Sequence, residues 1–439
     1  MNENNIPKHW GRTKASEVGK LLRGVNYKKQ DASNEAKKDY LPVLRGNNIN
    51  GELNFVDLVY VQKKNISKEQ LIKTGDIVFA MSSGSKHLVG KSAKAKADFN
   101  GSFGAFCGVF RPNENFNKDF VAYFFQSPYY KKVISEISKG TNINNLKREH
   151  ILDLDFPIPP LPEQKAIVAK IEELLSELEN GKQQLQTAQQ QLKVYRQSLL
   201  KWAFEGRFGF AQRPANDVKD GELPVGWKWV KFGEIFKGTP QNGMYKPSTD
   251  YGSGTPILRI DGFYDGVISQ NYDYKRVRIS KEEIQKYQLF LNDIVVNRVN
   301  SMSHLGKCGL VNSIKEETVF ESNVMKIQIN NALASPNFIT YYLASLKGIK
   351  ELTKNAKHAV NQASINQTDV ANSLIPLPSL EEQQHIVSEL ESKLTVCDKL
   401  EETISQSLQQ AETLRQSILK KAFEGKLVKY ELEKNNLNG

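Results

Sequence analysis

The 439-residue chain has little cysteine: Cys107, Cys308 and Cys397 are odd in number, far apart, and form no CxxC pair. This excludes a disulfide framework and a thiolate zinc site, and it fits a reducing cytoplasm. A long apolar run is also missing, since nothing approaches the ~18 apolar residues of a membrane span. The opening MNENNIPKHWGRTK holds no apolar stretch for a signal peptide. A soluble cytoplasmic protein with no membrane partner is expected. Histidine is scarce, six in all, and His87 and His304 have no carboxylate or cysteine pattern beside them, so no metal site is expected.

Catalytic motifs are missing too. GSKHLVGKS, from Gly84 to Ser92, puts five residues between its glycines, where the phosphate-loop pattern GxxxxGK[ST] needs four. A methyltransferase would show an Asn/Asp-Pro-Pro-aromatic tetrapeptide and a glycine-rich S-adenosylmethionine loop. The only Pro-Pro pair is Pro159-Pro160. A nuclease could be imagined from Glu163 downstream of Asp153 and Asp155, but Glu163 lies where a helix begins, and a carboxylate there interacts well with free N–H groups. No catalysis and no cofactor are expected.

What the chain does have is positive charge, +11 from 60 Lys and Arg against 49 Asp and Glu. Basic side chains that neutralise phosphates release condensed counterions, so nucleic acid is the natural partner. An apolar content of 39% is ordinary for a folded protein, and the length suggests roughly two to four domains.

The chain also repeats itself. PIPPLPEQKAIV (157–168) matches PLPSLEEQQHIV (376–387), and RQSLLKWAFEGRF (196–208) matches RQSILKKAFEGKL (415–427), both at an offset of 219. Weaker echoes at an offset of 217 pair Pro7, Trp10, Lys14 and Glu17 with Pro224, Trp227, Lys231 and Glu234, and Asp76-Ile77-Val78 with Asp293-Ile294-Val295. Solenoid units run to about 20–50 residues, so this is a duplicated module with similar ends and dissimilar middles.

Each half has the same order of parts. Short β-rich runs such as LVYVQ (58–62) and DIVFA (76–80) alternate with Gly/Asn/Ser turns, which predicts a compact α+β domain. Proline-bearing hinges follow, FPIPPLP (156–162) and IPLPSL (375–380), where proline excludes helix and holds the chain extended. Then comes a long helix, with Ile167, Ile171, Leu174, Leu178, Leu185, Ala188, Leu192, Tyr195, Leu199 and Trp202 at coiled-coil spacing, interrupted at Gly181. Ile386, Leu390, Cys397, Leu400, Ile404, Ala411, Leu414 and Ile418 repeat that register, with weak positions at Lys393 and Ser407. Each helix should cover roughly 43 residues, about 64 Å at 1.5 Å per residue. A domain of ~150 residues cannot cover such a helix along its length, so the two helices should pack on each other.

Globular domain, proline hinge and long helix, all repeated once, resemble HsdS, the specificity subunit of type I restriction-modification systems. PIPPLPEQKAIVAKI, LIPLPSLEEQQHIVSEL, KWAFEGRF and KKAFEGKL carry the resemblance, which covers the whole chain. It implies two α+β target recognition domains, each reading one half of a bipartite site in double-stranded DNA. An antiparallel helix pair with a pseudo-twofold axis would set the gap. Two HsdM methyltransferase subunits would dock on the chain, and HsdR restriction subunits would join through them. The division is then a recognition domain over 1–156, hinge and helix over 157–207, a linker over 208–223, a second recognition domain over 224–375, hinge and helix over 376–426, and a tail over 427–439.

Two identical domains about a twofold axis would read a palindrome. Diverged middles therefore predict an asymmetric target. A coiled-coil assembly scaffold without DNA specificity, or an orphan subunit serving methylation alone, is the alternative.

Base reading uses arginine on guanine and asparagine or glutamine on adenine, whereas phosphate contacts need only charge and N–H groups. The candidates in the first domain are Tyr27, Lys28, Lys29, Arg45, Asn47, and Ser82 to Lys91 with Lys86 and His87. In the second they are Gln241, Tyr245, Lys246, Arg259, Lys275, Arg276, Arg278, Asn297, Arg298, Asn300, His304 and Lys307. Arg298, after an expected strand, is the leading one, and YKRVR (274–278) should be a sheet edge. The Asn-rich turns TNINNLK (141–147) and VNQASINQ (360–367) align at 219 and either contact DNA or cap the next segment, the scaffold role being the preferred reading.

Overall fold

The computed structural model describes residues 6–83, 88–139, 145–210, 222–269, 272–360 and 362–429. The chain divides into two compact units, Met1–Leu185 with Gln406–Gly439, and Gln186–Ser405. Each unit therefore holds one mixed domain together with parts of both long helices.

In the first unit, Ile77–Ala80 is an apolar run buried on both faces, and its shortness and β-branched residues suit an interior strand. It pairs antiparallel with Cys107–Pro112 on one side and Ser92–Lys94 on the other, and Gly19–Arg23 completes a four-stranded sheet. A second four-stranded sheet runs in the order Ser102–Phe103, Tyr40–Leu44, Val59–Gln62, Ala32–Ser33, its first pair parallel. The helices Lys118–Phe124 and Pro128–Lys139 cover the first sheet with a cluster of rings. In it Phe79 and Phe110 meet Phe125 edge-on at 4.9 and 5.0 Å.

The second unit keeps this plan with altered edges. Ile294–Asn297 is its wholly buried strand, inside a six-stranded sheet ordered Gln241–Asn242, Val324–Ile327, Ile294–Asn297, Cys308–Leu310, Gly266–Ile268, Phe263–Tyr264. Beside it lies a three-stranded sheet, Lys275–Val277, Tyr251–Leu258, Val319–Phe320, with Lys275–Val277 at the edge.

The hinges are not free linkers. Asp155–Ile158 pairs antiparallel with Gly11–Lys14, and Leu374–Leu377 pairs with Lys228–Lys231. Proline is tolerated in such two-stranded ribbons because no further strand needs its N–H. The expected hinge over 156–162 is shorter in the structure, because the first long helix already begins at Leu161. Pro162 sits in its first turn, where a missing N–H costs nothing. The expected domain edges at 156/157 and 375/376 fall inside these ribbons.

The long helices are Leu161–Phe204 and Leu380–Phe423, 44 residues each. In the first unit the start of one helix (Ile167, Ile171) and the end of the other (Ile418, Leu419, Phe423) share a core. In the second unit Leu192 and Leu199 share one with Ile386, Leu390 and Cys397. The pairing within each unit is antiparallel.

The seam differs from expectation in its alternate row. Residues seven apart, Ile171 to Leu199 and Leu390 to Ile418, are buried or half-buried, as is Leu174. Leu400 and Leu414, expected in the seam, stand 49% and 51% exposed, and Tyr195 is 44% exposed. The row four residues on, at Leu175, Lys182, Gln189 and Arg196, and at Leu394, Glu401, Leu408 and Arg415, is half-buried throughout, whereas the expected row is covered in part, at Ile167, Leu174, Gly181, Ala188, Trp202, Ile386, Lys393 and Ser407. With 3.6 residues per turn, both rows flank the seven-residue row almost equally. Polar partners decide between them: Arg196 reaches Asp398 at 2.5 Å and Glu401 at 3.2 Å, and Arg415 reaches Gln126 at 2.5 Å.

Candidate nucleic-acid interface

The frame that carries the loops is the same in both units. Asp76 accepts from the Lys73 N–H and from Arg111, while Asp293 accepts from the Phe290 N–H and from Gln328. Ser82 bridges Asn145, and Val299–Asn300 pairs with Ala363 and Ser364. The Leu146 N–H donates to Met81 O at 2.7 Å and the Ile365 N–H to Arg298 O at 2.9 Å. The described parts of both Asn-rich turns are thus tied to the end of the central strand.

In the first unit a loop over 45–57 is built around Asn48, which is fully buried. Its amide donates to Asn54 Oδ1 at 3.2 Å and Val56 O at 2.8 Å, its Oδ1 accepts the Arg45 N–H, and Asn54 donates to Asn47 O. Gly51 and Asp57, with φ of 76° and 53°, let the loop close. Lys91 Nζ donates to Asn50 Oδ1 at 3.0 Å, and Arg45 Nη2 donates to Asp57 O at 2.8 Å. Arg45 and Asn47 therefore lie on one loop, which Lys91 reaches from outside.

Tyr27 is half-buried beside Val25, Val43, Val59 and Val61. Lys28 and Lys29 are exposed at the head of a short turn, with no ion-pair partner among the described residues. Lys86 and His87 lie outside the described residues.

In the second unit Arg259 and Arg298 converge on the turn 320–323, while the Asn297 amide lies 3.4 Å from Ile260 O and from His304 O. Arg259 Nε donates to Glu321 Oε2 at 2.9 Å, Arg298 donates to Ser322 O at 3.0 Å, and the Arg298 N–H donates to Asn323 O. Burial pushes the Arg298 guanidinium below its ordinary value, and its Nε has no hydrogen-bond partner among the described residues. The following loop holds Asn300, His304 and Lys307. His304 Nδ1 lies 2.9 Å from Ser303 Oγ, and Lys307 Nζ stands 4.8 Å from the centre of the Tyr264 ring.

The other candidates are tied to neighbouring turns and helices. Arg276 is paired with Glu316, Arg278 donates to Thr249 O, Lys246 is paired with Glu283, and Gln241 donates to Lys286 O. Lys275 is exposed at the edge, and Tyr245 is 79% exposed.

The sequence reading missed the apolar part of these surfaces. Phe106 is 70% exposed, and Phe55 and Val56 on the loop 45–57 are 52% and 66% exposed. The signal was an apolar pair inside an otherwise polar turn region. Among the described residues no group of three or more His, Cys, Asp or Glu side chains could hold a metal, and no helix is long and apolar enough to cross a membrane.

A family model described as the type I restriction modification DNA specificity domain matches this chain twice, over residues 7–187 and 224–410. The EcoKI specificity subunit, of a type I restriction enzyme from Escherichia coli K12, is 35% identical over 433 residues, 97% of this chain and 91% of that one. A chain from a structure on complex assembly and conformational transition of the type I R-M system superposes with a TM-score of 0.70 at 21% identity, covering 96% of this chain and 99% of the other. The HsdS subunit from Thermoanaerobacter tengcongensis superposes with a TM-score of 0.53 at 22% identity, covering 97% and 99%.

Proposed function

Because the chain belongs to the family of type I restriction-modification DNA specificity subunits, we propose that it is the non-catalytic reader of an asymmetric bipartite DNA site. The observation that carries this reading is the pair of equivalent frames bearing unlike loops. Arg45, Asn47 and Lys91 gather at the loop 45–57 in one unit, whereas in the other Arg259 is held by Glu321, Arg298 by Ser322 O and Asn297 by Ile260 O. A common frame presents each domain to the duplex in the same way, and unlike loops make the two half-sites differ.

The net charge of +11 supplies the sequence-independent attraction. The long helices serve as the ruler that sets the gap between half-sites. They also dock two methyltransferase subunits, through which restriction subunits join. An orphan subunit would serve methylation alone.

The test is a shift assay with the chain and its methyltransferase partner, together with methylome sequencing of a host carrying both. One bipartite, non-palindromic site is expected, with affinity falling steeply as salt rises. A palindromic site, or binding without sequence preference, would sink the reading. Four residues inserted at equivalent points in both helices should lengthen the gap and leave the half-sites unchanged.

A further inference from the structure

Arg45 and Arg259 occupy the same place in the two units, each following a strand that pairs in parallel with a short partner. Val43 and Leu44 lie opposite Ser102 and Phe103, and Ile257 and Leu258 lie opposite Val319 and Phe320. The next residue of each partner strand donates its N–H back, Gly104 to Leu44 O at 2.9 Å and Glu321 to Leu258 O at 3.0 Å. Glu321 therefore stands where the first unit has Gly104, and it faces the matching arginine.

Glu321 is 8% exposed, and both of its oxygens are used. Oε2 accepts from Arg259 Nε at 2.9 Å, and Oε1 accepts from the Ile260 N–H at 2.8 Å. From the other side, the buried Asn297 amide lies 3.4 Å from Ile260 O. Ile260, the residue that follows Arg259, is thus held at both its N–H and its carbonyl. The first unit has small residues at the corresponding places, Gly104 for Glu321 and Ala80 for Asn297. There, among the described residues, the Arg45 side chain is held through Nη2 on Asp57 O at 2.8 Å.

The two arginines are consequently presented differently. A guanidinium gripped through Nε keeps both Nη groups for a partner, and among the described residues nothing else takes those of Arg259. Two parallel N–H donors at that edge match guanine O6 and N7. Arg45 has already committed an Nη group to the backbone.

We propose that Glu321 is a positioning residue that holds Arg259 with its Nη edge ready to read one guanine in the half-site of the second domain. The first domain, lacking this buttress, reads its half-site without an arginine fixed in this way. The inference rests on the DNA-reading function proposed above.

The test uses the full chain assembled with its methyltransferase partner, and reads the methylated motif of a host carrying wild type, R259K, E321Q or R45A. R259K keeps the charge but lacks the fork, so it should lose discrimination at one G·C pair of one half-site by roughly ten- to hundred-fold. E321Q keeps an oxygen for the Ile260 N–H and should loosen the same pair more weakly. R45A should leave that half-site intact. If E321Q fails to assemble, R259K decides alone.

A motif unchanged in R259K, or a uniform loss of affinity with the motif intact, overturns the inference and leaves the DNA-reading function standing. A wild-type complex with no selected bipartite site overturns both.

Discussion

Trp10 Nε1 donates to Glu163 Oε1 at 3.0 Å, and the corresponding Trp227 Nε1 donates to Glu382 Oε1 at 3.2 Å. The neighbouring glutamines complete the latch. Gln164 donates to Pro159 O and accepts the Asn117 N–H, while Gln383 donates to Pro378 O and accepts the Ser335 N–H. The Glu-Gln pair of each repeated phrase thus ties the start of a long helix to its hinge, to the first ribbon strand and to the helix that caps the sheet. A duplicated phrase has preserved a duplicated joint.

Glu163 is 2% exposed and also accepts from His9 Nε2 at 2.9 Å. Glu163→Ala leaves the buried indole N–H unpaired and should cost about 1–3 kcal/mol, read from urea unfolding of the full chain. Glu163→Gln keeps an acceptor and should cost less.

Asp76 is 1% exposed, and Arg111 grips it through Nε and Nη2, both at 2.7 Å. Arg111→Ala strands a buried carboxylate and should cost about 3–5 kcal/mol, whereas Gln328→Ala at the equivalent place removes a neutral donor and should cost less.

The buried partner of Gln328 carries a pH dependence. Burial pushes the Asp293 carboxyl up, against the pull of Gln328 and the Phe290 N–H. The folded state therefore holds this proton more tightly than the unfolded state. Its contribution to stability is full below the ordinary aspartate value, about 3.9, and is lost as pH rises through the raised value. The stability of wild type minus that of Asp293→Asn should accordingly fall as pH climbs out of the acid range, read from urea midpoints at each pH.

The seam makes a prediction against the sequence pattern. Leu199 is fully buried, so Leu199→Ala should cost about 2–5 kcal/mol. Leu400→Ala and Leu414→Ala, on the exposed flank, should stay within about 0.5 kcal/mol of wild type. Equal losses at all three positions would reject the four-residue row.

All three cysteines are buried and free, and burial pushes the Cys107 and Cys308 thiols up to about 12. A thiol reagent should find none of these three rapidly reactive in the native protein and all three after unfolding. A fast native thiol among them would contradict this packing.

The sequence displayed the architecture better than the interface. The offset of 219 between PIPPLPEQ and PLPSLEEQ gave the hinges and helix starts to within a turn, because capping and proline chemistry act over neighbouring residues. The buried strand Ile77–Ala80 was visible as an apolar run for the same reason. Glu163 was legible as a helix-start carboxylate, but not as the partner of Trp10, since that contact closes across 153 residues. Arg298 stood out by its place after a strand, yet the structure gives it a backbone carbonyl in the turn 320–323, which no spacing announces. The exposed Phe106 was passed over because exposure belongs to the folded surface.

By itself the sequence determined that this protein is two copies of one module, each a mixed domain, a hinge and a helix. Those features follow from local chemistry: proline's fixed φ, helical periodicity, and runs that must be buried. Only the tertiary structure decided which flank of each helix turns inward, and that Arg259 is held by a carboxylate where the first unit has a glycine. Both outcomes rest on side chains brought together from distant parts of the chain, and a local pattern constrains such meetings only weakly.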